Sequence, residues 1–199
     1  MVLALCLALL SLPTPSVTVI SFQVSDSHDH PLAGVILSTK DSSTISAPTD
    51  GAGKTELRIP ARLQPGSTLL LVLVSAPDRD LQFLAPWEGH GTVPQQPRSI
   101  EVVLGKLKDA ATDSAVLKNE KVLYALALEI SESGERAGAP ESDWYVVNSR
   151  KLMTIAKTLK LPAASIDSAI RKWAETTDDS EQRRIGSKYT LAMPLGSNP

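Results

Sequence analysis

The feature that most constrains the fold is the pattern of apolar residues between positions 17 and 105. They recur in short runs with a period of two, and the first run, residues 17–24, is rich in β-branched side chains. Turn-forming Gly, Pro and Asp residues separate the runs, and no helical period lies between them. This pattern is typical of an antiparallel β-sandwich. We therefore predict that residues 17–105 form one.

The individual runs predict where the strands lie. They cover residues 17–24, 32–39, 55–59, 68–74 and 99–104. The unbroken aliphatic run at 68–74 predicts a central strand that is buried on both faces. Between the second and third runs, Asp50 and Gly53 predict a hairpin turn in which Gly53 supplies a positive φ.

The turns also carry a resemblance to a known family. In chain order they contain Asp26, Pro31-Leu32-Ala33-Gly34-Val35, Thr49-Asp50 with Gly53, and Pro65-Gly66. This order resembles the carboxypeptidase regulatory-like domain, a transthyretin-like sandwich. The chain departs from the family pattern at Lys54-Thr55, where an aromatic residue is usual, and at Pro77-Asp78-Arg79, which replaces a Gly-aromatic pair. The resemblance implies an accessory module without peptidase activity, of a kind often grouped with carbohydrate-binding sandwiches.

The N-terminal residues 1–16 have a different character. Residues 2–12 are apolar and too few to span a bilayer comfortably, and Pro13 and Pro15 end the run. Small residues at Thr14 and Ser16 resemble a cleavage site, although no Lys or Arg precedes Lys40. We expect a secretory signal peptide, with an uncleaved membrane anchor or a buried first strand as alternatives. The protein is then expected to be extracytoplasmic: secreted, periplasmic, or anchored by this segment.

After Gly105 the apolar spacing becomes helical. Asp113-Ser114 precedes a predicted helix over residues 115–132, and the glycines and charges of 131–142 predict a flexible linker. Residues 106–142 are thus expected to be a helix with its linker. The chain as a whole is predicted to be α+β, a sandwich followed by a small helical region.

Two further helices are expected in the segment 143–178. Asn148 or Ser149 would cap the first, which runs to Leu159, and Pro162 would begin the second. Leu159-x-Leu161-Pro162 and the residues up to Trp173-Ala174 resemble the segment that precedes tetratricopeptide repeats in some bacterial secreted or anchored proteins. No repeat follows, and residues 179–199 are expected to be a disordered tail.

Two motifs imitate binding sites. Gly53-Lys54-Thr55 is similar to part of a phosphate-binding loop, but Pro48 stands where that loop needs glycine and a strand pattern follows. Asp26, His28, Asp29 and His30 have the side chains of a metal site, yet they lie in a turn. We expect a turn and a solvated loop, with no metal and no cofactor. The single cysteine, Cys6, excludes an intrachain disulfide or a cysteine zinc site.

The segment around Trp87 and His90 provides the candidate interaction residues. An exposed Trp87 could stack on a sugar or fill a pocket of a partner, and the alternative is that it covers the end of the core. His90, in Trp87-Glu88-Gly89-His90-Gly91, is expected to be a loop residue rather than a catalytic base. No Gly-x-Ser-x-Gly sequence frames a nucleophilic serine, so no enzymatic activity is expected.

These features predict a non-enzymatic extracytoplasmic interaction module. Its partner would be a glycan or an envelope protein, or it would be an accessory to a catalytic or repeat-containing protein. The formal charge of −2 does not favour nucleic acid as a partner. Membrane contact is expected only through an uncleaved N-terminal segment. The alternative is an intracellular regulator that uses the helix pair between Leu152 and Trp173 as a helix-turn-helix DNA-binding unit.

Overall fold

The computed structural model describes residues 17–40, 44–60, 67–93 and 99–178. In these ranges strands come first and helices follow, which confirms the α+β organisation. The strands are β1 (Val17–Ser25), β2 (Ile36–Thr39), β3 (Lys54–Pro60), β4 (Thr68–Ser75), β5 (Leu81–Ala85), β6 (His90–Thr92) and β7 (Ser99–Lys106). The helices are α1 (Glu120–Ser131), α2 (Ser133–Arg136), α3 (Trp144–Leu159) and α4 (Ala163–Thr176). The predicted signal segment 1–16 and the tail 179–199 lie outside the described residues.

The strands form two sheets. One has four strands in the order β3-β1-β7-β5, and the other has three in the order β2-β4-β6. The pairing of β1 with β7 is parallel, with Phe22 opposite Ile100, so the expectation of a wholly antiparallel arrangement is wrong. The first and last strands are neighbours in the larger sheet, so no hairpin joins them and they can run in the same direction. Strands β5 and β6 were not among those predicted from the sequence.

Both sheets contribute side chains to one buried cluster. The larger sheet supplies Phe22 and Leu57, and the smaller supplies Leu37 and Leu69. Alternate residues of β1, β3, β4 and β7 point into this cluster, as the period of two requires. Aliphatic and phenylalanine side chains thus fill the space that the strand patterns predicted to be core.

The turn at Asp50 and Gly53 does not form a hairpin between neighbouring strands. Strand β2, before it, pairs with β4, whereas β3, after it, pairs with β1, so the turn carries the chain from one sheet to the other. The Asp50 carboxylate accepts hydrogen bonds from the Ala52 and Lys54 amides at 2.9 and 2.8 Å. Gly53 has a φ of +75°, as predicted. A strand begins at Lys54, which confirms that the Gly-Lys-Thr sequence does not lead into a helix.

Strand β4 is central in its sheet but is not buried on both faces. Leu69 and Leu71 point into the core, whereas Val72 and Val74 are exposed. The aliphatic run predicted two buried faces, but no element of the described chain covers the outer face of this sheet at those two residues.

The helices pack on the larger, four-stranded sheet and build a second cluster there. Leu84 and Val103 of β5 and β7 point away from the first cluster and meet α1, α3 and α4. The helix side of this cluster includes Tyr124, Ile155 and Trp173, and the rings of Tyr124 and Trp173 meet edge to face. The helical region is therefore packed against the sheet mainly through α1 on β5, and α3 and α4 pack in turn on α1.

The helix bounds differ from those predicted. Helix α1 begins at Glu120, because the side chain of Asn119 accepts from the Lys121 and Val122 amides and so caps it. Helix α3 begins at Trp144, four residues before the cap expected at Asn148. Asn148 instead accepts a hydrogen bond from the Gly134 amide at 3.1 Å and holds the start of α2. Among the described residues, no helix has the length and hydropathy needed to cross a bilayer.

The expected linker at 131–142 is structured. It contains α2 and a short 3-10 turn at Glu141–Asp143. Gly134 lies so close to the ring of Trp144 that any side chain there would overlap it. The Trp144 indole also donates to the Ala139 carbonyl at 3.0 Å, so these contacts order the segment.

The turn between the sheets provides a stability test. Gly53→Ala is expected to lower the free energy of unfolding by about 2 kcal/mol, because alanine at positive φ is strained and its Cβ would overlap the Val24 carbonyl oxygen. Gly51→Ala is the matched control, since no atom lies within 4 Å of a Cβ added there. Urea unfolding of both variants measures the difference. Equal midpoints would contradict the role assigned to Gly53.

Candidate interaction surface

The structure places the predicted contact residue Trp87 in the interior. Its exposed fraction is 2%, and it belongs to the cluster between β5, β7 and the helices. The expectation that Trp87 contacts a sugar or a partner at the surface is therefore wrong. The other interpretation, in which it covers the end of the core, agrees with the structure.

His90 is also placed differently from the loop position expected. It begins β6, where it pairs with Leu70 of β4, and 39% of its side chain is exposed. Its Nδ1 lies 3.8 Å from Oε2 of Glu129 in α1. His90 thus links the smaller sheet to the first helix, and Trp87 and His90 do not form a joint surface site.

Glu129 is the centre of an ionic network between the helices. Its side chain is only 8% exposed, and its oxygens lie 2.7 Å from Nζ of Lys151 in α3 and 2.9 Å from Nη2 of Arg136 in α2. Burial raises the pKa of the Glu129 carboxyl, but His90, Lys151 and Arg136 outweigh burial and lower the pKa to about 2. The carboxylate therefore stays charged at neutral pH and ties α1, α2, α3 and β6 together.

The loop with the predicted metal-like residues is tied to the start of α1. Lys121 Nζ lies 2.8 Å from Oδ1 of Asp29, and the Asn119 side chain donates to the Ser27 carbonyl at 3.1 Å. The rings of His28 and His30 are stacked with centroids 5.9 Å apart, and both side chains are exposed. His28 Nε2 lies 3.4 Å from Oδ1 of Asp113. These contacts show what holds the loop in place.

The geometry of that loop does not assemble a metal site. Across residues 17–40, 44–60, 67–93 and 99–178, no group of three or more His, Cys, Asp or Glu side chains is placed to hold a metal ion. Asp26 instead uses its carboxylate within the loop, accepting from the amides of His28 and His30 at 2.8 and 2.9 Å.

The outer face of α3 exposes large apolar side chains together with cations. Tyr145 is 82% exposed and Met153 is 62% exposed, and Val146, which follows Tyr145 in the sequence, is also exposed. At 100° per residue, these three and the exposed Arg150 and Lys157 fall within about 140° of one another around the helix. We call this group of five residues the α3 face.

A groove adjoins the α3 face where α3 turns into α4. It has a volume of about 750 Å³, and Met153 lies on its wall. Leu161 and Pro162 contribute apolar lining, and Lys157 and Lys160 contribute the charged part. The sequence of this helix pair resembles the segment that precedes tetratricopeptide repeats and also fits a helix-turn-helix, whose DNA binding stays a prediction.

The smaller sheet has a second exposed apolar patch. Val72 pairs with Ser38, which in turn bridges to Ile45, so these side chains lie in one row on the outer face. Val72, Val74 and Ile45 are all exposed.

Comparison of the chain with protein-family models, with curated proteins and with solved structures finds no match. The surface is therefore interpreted from its own geometry.

One sequence feature that bears on the α3 face is the charge of the residues between Asp143 and Asp167. No Asp or Glu occurs between Asp143 and Asp167, whereas Arg150, Lys151 and two further lysines do. Such a charge-biased helix indicates a surface with one sign of potential. The exposure of Tyr145, in contrast, depends on where α3 begins, which the sequence analysis placed too late.

The ionic network predicts a pH-dependent stability. Because the pKa of Glu129 is lowered, its contribution is present above about pH 4.5 and is lost as the pH falls towards 2. Glu129→Gln is expected to lower the free energy of unfolding by up to about 3 kcal/mol at pH 7 and to flatten its pH dependence in this range. Urea unfolding at pH 7 and pH 3 measures both.

The exposed Glu56→Gln is the control, because Glu56 lies on the far edge strand β3. It should leave the unfolding free energy within about 0.5 kcal/mol of the parent. A Glu129→Gln variant as stable as the Glu56 variant at pH 7 would show that the network contributes nothing to stability.

Proposed function

We propose that this protein is a non-enzymatic interaction module whose contact surface is the α3 face. The observation that supports it most is the exposure of Tyr145 and Met153 on one side of a helix that is firmly held on its other side. Side chains of this kind are enriched where proteins bind proteins, and grouped exposed apolar residues mark such sites. Apolar Met153 and Val146 beside the tyrosine favour a protein partner over a glycan, so we propose an envelope protein.

The support behind α3 is what makes this face usable for binding. Ile155 and Leu159 anchor the inner side of the helix in the second cluster, and Lys151 binds Glu129. A helix fixed in this way presents its outer side chains with little loss of conformational freedom on binding. The α3 face is thus preorganised for a partner.

We also propose that the two sheets form a β-sandwich of the carboxypeptidase regulatory-like type. Seven strands divided four and three around one cluster are in accord with a sandwich, and the Asp50–Gly53 turn is one of the four motifs that carry the resemblance. Methyl NOEs between Leu37 and the side chains of Ile20 or Leu57 test the packing of one sheet on the other. Their absence would contradict it.

Site-specific photo-crosslinking tests the interaction function. Benzoylphenylalanine placed at Tyr145 in the full chain, in the native cell, is expected to give a discrete crosslinked partner, and Met153→Asp in the same chain is expected to abolish it. Benzoylphenylalanine at Glu56, on the opposite edge of the larger sheet, is the control. No adduct at 145, or the same adduct from both positions, would contradict an interaction through the α3 face.

We further propose that the protein acts outside the cytoplasm. This proposal rests on the apolar run at residues 2–12 and the small residues before Val17. Residues 1–24 fused to a phosphatase that is active only after export should give active enzyme, and the same fusion with Leu9→Arg should not. If the fusion with the native residues 1–24 stays in the cytoplasm and is inactive, the proposed location outside the cytoplasm is contradicted.

A further inference from the structure

We propose that the groove at the α3–α4 turn binds an apolar side chain flanked by carboxylates, contributed by an acidic segment of the protein partner. This inference rests on the proposed function and names the chemistry of the segment that the surface recognises. Three features of the groove support it: its lining, its charge and the conformation of Lys160.

The lining suits an apolar side chain. Met153 and Leu161 both line it, and Pro162 and Ala163 continue the apolar lining at the start of α4. The groove is shallow and open to solvent, and its volume of about 750 Å³ has room for one or two apolar side chains of a bound segment.

The charge of the groove selects the flanking residues. Lys157 and Lys160 are both exposed at its edge, and neither has an ion-pair partner within the described part of the chain. No carboxylate lies between Asp143 and Asp167 in the sequence, so the surrounding helix adds only positive charge. Carboxylates on the bound segment would supply the missing partners.

The backbone of Lys160 is strained, and the positive charge of its side chain gives a reason for a lysine at this position. Lys160 ends α3 with a φ of 54°, the left-handed conformation in which glycine is the usual residue. Its amide and that of Leu161 bond back to the Ala156 carbonyl, so the turn is complete without the lysine side chain. A glycine would serve the turn better, whereas the lysine places a second cation on the groove.

An acidic peptide is favoured over the other polyanions that two lysines could attract. Duplex DNA presents phosphates but no apolar side chain to fill the space beside Met153. A bilayer contacts a broad apolar surface, whereas the lining here is eight residues at one helix–helix turn. Only a peptide offers carboxylates and an inserted apolar side chain in the same segment.

Display of short random peptides tests the inference without assuming a sequence. Peptides selected on the full chain are expected to combine an aliphatic or aromatic residue with flanking Asp or Glu. Their affinity should fall as ionic strength rises, because exposed charge pairs are screened.

Two variants locate the peptide site. The charge reversal Lys157→Glu with Lys160→Glu should weaken the selected peptides by roughly tenfold or more. Lys160→Gly alone should weaken them roughly threefold, and its urea midpoint should be no lower than that of the parent, since glycine relieves the strained φ. Lys172→Ala, on the exposed side of α4, removes a cation outside the groove and should leave the affinity unchanged.

Four results of the peptide experiments would overturn the inference. They are selected peptides without acidic residues, peptides that bind the charge-reversal variant as well as the parent, no selected peptide at all, and peptide binding that appears only after residues 179–199 are deleted. Binding of phosphatidylserine vesicles or random duplex DNA that is lost in the charge-reversal variant, without peptide binding, would also overturn it. A crosslinked partner at Tyr145 that survives both lysine variants would leave the proposed function standing while removing this account of its chemistry.

Discussion

The β5–β7 pair is the element on which the rest of the structure depends, because both of its faces are buried. Val102 and Leu104 point into the cluster shared by the two sheets, and Val103 and Leu84 point to the helices. An antiparallel pair with two buried faces cannot shift register by one residue without moving the side chains of each face into the wrong cluster. The helical half is therefore positioned by the same pair that closes the larger sheet.

The ionic network around Glu129 fixes helix orientations that apolar contacts alone do not fix. Leu, Ile and Ala side chains pack with little angular preference, whereas a carboxylate bonded to Lys151 and Arg136 fixes how α3 and α2 lie against α1. Breaking one such buried pair is costly because it leaves a charge without a partner. The orientation of α3, and with it the direction of the α3 face, thus follows from one buried acid.

The sequence predicted features that depend on local chemistry and missed those that depend on distant partners. Strand positions β1, β3 and β7 and the positive φ of Gly53 follow from alternation and turn residues, and the structure confirms them. For Trp87 the sequence allowed two interpretations, and the interior one agrees with the structure. The exposed outer face of β4 depends on where the helices pack, which no local pattern encodes. The same holds for the candidate surface: its cations were visible in the sequence, but its exposure required knowing that α3 begins at Trp144. The apolar run at 68–74 was misinterpreted because hydrophobicity alone does not show whether another layer covers a strand.

The cations along α3 divide between an inner side that packs on the fold and an outer side that is exposed to solvent. Arg150 and Lys151 are adjacent, yet the 100° turn between them sends Lys151 inward to Glu129 and leaves Arg150 exposed. Lys157 lies on the exposed side about two turns after Arg150. Lys160 is also exposed, and its own backbone is in the left-handed conformation. The inner cation thus contributes to stability, while the outer cations have no ion-pair partner among the described residues. Substitution of Lys157 or Lys160 is therefore expected to leave the fold intact, whereas Ala156, which also lines the groove, is part of the second cluster.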